Sequence, residues 1–173
     1  TTAGRDYSTF NTRLTCKFDG PTTQTVTVST LQDDLVEAAE TLTATLSNAS
    51  GASLADATAT GTINNDDTAG FTVTESGGST LVSESGTTDT FAVVLSAQPA
   101  SDVVITVASG DTGEATVDKA TLTFTNANWN VAQTVTVTGV DDPAVDGNQT
   151  TNVTLSVDDA NSDDAFDALA NQT

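Results

Sequence analysis

The chain has 173 residues, with 24 acidic side chains against 4 basic ones and no histidine, a formal net charge of −20. That balance excludes nucleic acid and anionic membrane surfaces as partners, because both require a basic face. No apolar run approaches the roughly 20 residues of a membrane-spanning helix, and the lack of an initiator Met and of a secretory leader suggests a processed or excerpted chain.

Taken in order, the apolar residues keep a period of two, which separates this acidic, aromatic-poor chain from a disordered one. In "RLTCKFD", Cys16 shares a strand face with Leu14 and Phe18 and reads as a small buried apolar residue. Strands are predicted at "TVTVST" (25–30), "TLTATLS" (41–47) and "FAVVLS" (91–96), with "DATATGTINNDD" (56–67) closing the first copy and "GFTVTESGGSTLVSES" (70–85) opening the second. Further strands are predicted at "DVVITVAS" (102–109), "TLTFT" (121–125), "QTVTVTGV" (133–140) and "NVTLSVD" (152–158). Gly, Asn, Asp and Pro punctuate them as in a β-sandwich. Trp129, in "NANWNVAQ", is expected to cap one pole of the core rather than to form a sugar platform.

The middle of the chain repeats. "QTVTVSTLQDDLVEAAETLTATLS" begins at Gln24 and "QTVTVTGVDDPAVDGNQTTNVTLS" at Gln133, an offset of 133 − 24 = 109 that holds without a gap to Ser47 and Ser156. The helix-tolerant "LVEAAETL" aligns with "AVDGNQTT", which is not helix-tolerant, so the segment is read as a loop entering a strand. Two modules follow, at 1–67 and 68–173. The first lacks its N-terminal strands and the second its last strand, as expected of a window on a longer array or of subunits that exchange strands.

Asp33, Asp34, Glu37 and Glu40 crowd the loop that follows the first copy's "TVTVST". Two such charges about 4 Å apart repel by roughly 1 kcal/mol in water and about 4 kcal/mol at an effective dielectric of 20, so a fold that gathers them must splay them or supply a cation. With "AGRDY" upstream and "NASGASLADATATGTINNDD" downstream, the loop resembles the Calx-β module of sodium–calcium exchangers and of very large bacterial surface adhesins. The second copy resembles related adhesin repeats. The resemblance implies an all-β fold of tandem immunoglobulin-like sandwiches that bind Ca2+ at one pole.

By that resemblance the first copy's ligands are Asp6 in the Gly-x-Asp-Tyr turn, the loop acids Asp33, Glu37 and Glu40 with Asp34 beside them, and Asp66 and Asp67 after the last strand. Gln32 and Asn65 depart from the family pattern, each standing where the family has an acid. In the second copy Glu84, Glu114, Asp141, Asp142 and Asp146 take the corresponding places, and Gln149 replaces Glu40.

An all-oxygen donor set suits calcium, whereas zinc and copper would want His or Cys. Neither an EF-hand nor a nonapeptide calcium repeat is present, so the site must be assembled from separate loops and its binding energy becomes folding energy. The expected function is a calcium-stiffened structural repeat of an extracellular bacterial surface or filament-building protein. Its partners would be neighbouring repeats or strand-donating copies, with any cell-surface or glycan target reached through other domains. The alternative is a Ca2+-sensing regulatory module. An enzyme is not expected, since no His-based nucleophile set and no aromatic-lined cleft is offered. Asp163, Asp164 and Asp167 read as solubilising surface charge.

Overall fold

The computed structural model describes residues 25–145 and 147–173. These are all-β apart from short single-turn segments, and they divide into two compact units. Cys16 and the strand expected around it lie outside the described residues.

The described part of the first unit, residues 25–34 and 38–65, is built on a hairpin. Strand β1 (Glu40–Thr45) pairs antiparallel with β2 (Thr58–Ile63), from Glu40 opposite Ile63 to Thr45 opposite Thr58. One further bond, from the Leu46 amide to the Ala57 carbonyl at 2.7 Å, extends the ladder. The connection turns through Asn48 and Gly51 at positive φ (58° and 80°), a region these two residue types enter at low cost. Asp56 Oδ1 accepts from the Thr58 amide at 3.0 Å and starts β2. The expected strand at 25–30 is not formed. Residues 25–29 carry no regular structure, and Thr30 makes only an isolated bridge.

The second unit comprises residues 66–173 together with Leu35–Glu37. Its strands are β3 (Phe71–Glu75), β4 (Thr88–Leu95), β5 (Val103–Ser109), β6 (Ala115–Val117), β7 (Thr121–Phe124), β8 (Gln133–Gly139) and β9 (Val153–Val157). They form two antiparallel sheets, ordered β3-β4-β8-β6 and β7-β5-β9. This is the immunoglobulin-like sandwich expected of the sequence. Alternation decides which side chains meet between the sheets. Phe91, Val93 and Leu95 of β4 and Val135 and Val137 of β8 face Val103, Ile105 and Val107 of β5, Leu122 and Phe124 of β7 and Leu155 of β9. Each fully buried side chain of this size contributes about 1.5–3 kcal/mol. Trp129 is half-buried against this cluster, as expected, and its carbonyl accepts the Leu95 amide at 3.1 Å.

Two contacts finish the unit. Among the described residues, no strand of the β2 kind follows β9. In its place Gln172 makes a single antiparallel bridge to Leu155, with bonds of 2.8 and 3.0 Å, while its Nε2 donates to the Phe71 carbonyl at 2.9 Å. At another edge, Leu35 is buried (6% exposed) and forms a parallel bridge with Gln98, the Val36 amide donating to the Gln98 carbonyl at 3.0 Å.

Asp163 corrects the expectation of plain surface charge. It is buried, its Oδ2 accepting from the Ser101 amide (2.8 Å) and hydroxyl (3.3 Å) and its Oδ1 from the Ala165 amide (3.1 Å). The turn it closes delivers the fully buried Phe166 to the core. A carboxylate can be buried there because both oxygens find donors.

Candidate metal-binding loops

The second copy's acids sit on three segments that the backbone draws toward one end of the sandwich. Strand β6 opens at Ala115, which lies opposite Gly139, the last residue of β8. The ladder continues one step further, the Val140 amide donating to the Glu114 carbonyl at 2.9 Å. Glu114 therefore stands beside the segment that carries Asp141 and Asp142. On the other flank of β8, the Gly139 amide donates to the Thr87 carbonyl at 3.1 Å. The backbone of Ser83 lies so close to Gly139 that no Cβ fits between them. Glu84 follows Ser83 in a turn closed by the Gly86 amide on the Ser83 carbonyl at 3.0 Å, so it is a turn residue rather than a strand residue.

Asp111 belongs to the same end and is absent from the set the resemblance implies. Its Oδ1 accepts the Gly113 amide at 2.8 Å and its carbonyl the Ala115 amide at 3.1 Å, which shapes the turn that presents Glu114. The Asp-x-Gly spacing of "DTG" is a turn signal that could have found it. The Gly110 amide, bonded to the Asn152 carbonyl at 2.7 Å, ties this turn to the end of the loop leaving β8. Within that loop Asp142 Oδ1 accepts the Ala144 amide at 2.8 Å. Asp146 lies outside the described residues.

In the first copy, Glu40 opens β1 opposite Ile63, so it shares an end of the hairpin with Asn65, after which Asp66 and Asp67 follow directly. Asp33, Glu37, Glu40 and Asp67 are half-buried, whereas Asp34 and Asp66 are exposed. Asp6 lies outside the described residues.

Three other aspartates show shifted acidity. Asp89 is held below the usual carboxylate value by the Ser76 hydroxyl first, then by the Leu81 and Thr90 amides, at 2.9 and 2.7 Å. Asp118 is lowered mainly by the Thr136 amide at 2.7 Å, with Lys119 adding at 3.0 Å. Asp167 is raised, first by desolvation and then by the neighbouring Asp159, Asp164 and Asp163. Its Oδ1 is shut off from solvent and receives no donor among the described residues. A bond between Asp167 and Asp159 exists only while one of the two is protonated.

As donors, these loops offer only oxygen, which fits a hard cation such as calcium in chemistry. Among the described residues, however, no group of three or more Asp, Glu or Cys side chains is gathered closely enough to hold a metal ion. The backbone segments that carry the second copy's acids are nonetheless joined by hydrogen bonds, Val140 to Glu114 and Gly139 to Thr87.

A β-sandwich whose acid-bearing loops share one end belongs to the immunoglobulin-like class. Within it, residues 1–76 match the Calx-beta domain family, which bears out the resemblance read from the sequence over that stretch and runs past β3 to Ser76. This family marks a calcium-related, non-catalytic module. No curated protein and no solved structure matches the chain.

Proposed function

We propose that this chain is a calcium-binding structural repeat of a large extracellular bacterial surface or fibre-forming protein, stiffened by Ca2+ at its module poles and linker. The observation that carries the reading is the recurrence of one acidic loop, in the Calx-beta segment and again 109 residues later, where it exits β8 beside Glu114. Asp33, Glu37, Glu40, Asp66 and Asp67 would hold the ion in the first module, with Asp6, and Glu84, Glu114, Asp141 and Asp142 in the second, with Asp146. Bound calcium supplies the positive charge that lets these carboxylates approach. The chain supplies the rest: the Asp111 turn orients Glu114, the Gly139–Ser83 approach sets the height of Glu84, and the Asp142–Ala144 bond bends the loop back. Calcium near millimolar, the affinity range of extracellular modules, is sufficient for this role.

Calorimetric titration with Ca2+ and thermal melts in chelator test the reading. Chelation lowers the melting temperature, calcium restores it and magnesium does not. Glu114→Gln and Asp142→Asn each weaken calcium uptake at least tenfold, while Asp118→Asn, on a carboxylate engaged with Thr136, leaves it unchanged. Superimposable melting curves with and without chelator overturn the proposal.

A further inference from the structure

The repeat offset sets Leu35 on Ala144 and Val36 on Val145. Val36 has a seat. Leu35–Glu37 counts with the second unit, the Val36 amide satisfies the Gln98 carbonyl at 3.0 Å, and the Val36 side chain packs against the core. Gln98, three residues beyond the end of β4, is held by its own Nε2, which donates to the Asn126 carbonyl at 2.7 Å. Val145, at the equivalent position of the second copy, is wholly exposed (104%), with Pro143 and Ala144 exposed beside it. A lone exposed valine is ordinary. This one differs because its counterpart in the same chain is packed against a sandwich core and bonded to the Gln98 carbonyl in the connection after β4.

We infer that Val145 is a docking contact for another sandwich of this repeat type, seating its side chain and amide at that partner's Gln98-type position as Val36 does here. In this chain the position is filled by Leu35–Glu37, so the partner is a sandwich in which it stands open. Ala144 in place of Leu35 makes the contact weaker than the one formed by Leu35 and Val36, because the buried side chain is smaller.

The full chain provides both halves of the test. In L35D/V36D the seat at Gln98 is opened by expelling its occupant, and Val145 of one copy is then free to enter the seat of another. Analytical ultracentrifugation is expected to show monomers for the parent chain and concentration-dependent association for L35D/V36D. Adding V145D is expected to weaken that association at least tenfold. Association of the triple variant equal to that of L35D/V36D would show that the uncovered core alone is sticky and would overturn the inference, as would a folded L35D/V36D that stays monomeric. Should L35D/V36D lose its β-sheet circular dichroism, L35A/V36A replaces it under the same two outcomes.

Discussion

Asp167 and Asp89 respond to acid in opposite directions, although both are aspartates on one sandwich. The folded state raises the affinity of Asp167 for its proton, so between its ordinary value of 3.8 and its raised value the folded chain binds more protons than the unfolded one. Its contribution to stability therefore falls as pH rises through that window. Asp167→Asn removes the burden and raises the melting temperature at pH 7, an advantage that disappears when melts are repeated below pH 3.8. Asp89 is lowered, so its hydrogen bonds to the Ser76–Leu81 segment support the fold above the ordinary carboxylate value and are lost as acid protonates it. Gly139 is constrained by space alone, and it is small because the Ser83 backbone lies where a side chain would be. Gly139→Ala is expected to cost about 1–3 kcal/mol in urea unfolding, the range for overpacking a tight contact.

Elements succeed or fail by their ladder partners. "QTVTVTGV" and "TVTVST" (25–30) carry the same alternation, yet the first forms β8 and the second forms no regular strand beyond the bridge at Thr30. Strand β8 is flanked on both sides, by β4 and by β6. Alternation reports that one face of a segment can be buried; it does not report which backbone will satisfy its amides. The Asp163–Phe166 turn is the opposite case, an acidic stretch that looked like solvent-facing charge and instead delivers a core residue. Phe166→Ala is expected to destabilise the second unit by about 3–5 kcal/mol in chemical denaturation. Asp163→Ala is expected to lose about 1–3 kcal/mol, because the Ser101 amide is left without its acceptor. The candidate loops were legible only in part. The acidic runs and their recurrence stand in the sequence, but the Glu114–Val140 bond and the role of Asp111 depend on how β6 pairs with β8.

For the whole molecule, a net charge of −20 opposes compaction through self-repulsion. Simple salt relieves this non-specifically, since the screening length is about 8 Å at 0.15 M ionic strength. Melts in NaCl should therefore rise gradually with ionic strength. Calcium at constant ionic strength should add a saturable increment on top, because ligand binding to the folded state alone stabilises it by mass action. A calcium effect reproduced in full by an equal ionic strength of NaCl would reduce the acidic loops to general charge.

From its residues alone this chain is all-β, internally repeated and acidic at recurring loop positions, because side-chain alternation, repeat offset and charge are one-dimensional properties that survive without a fold. Tertiary structure alone decided that the Thr-rich run at 25–30 forms no regular strand, that Asp163 is buried, and that Val36 is seated while Val145 stands in solvent. Each depends on which distant backbone donor, acceptor or apolar surface comes within a few ångströms. No local pattern encodes that proximity.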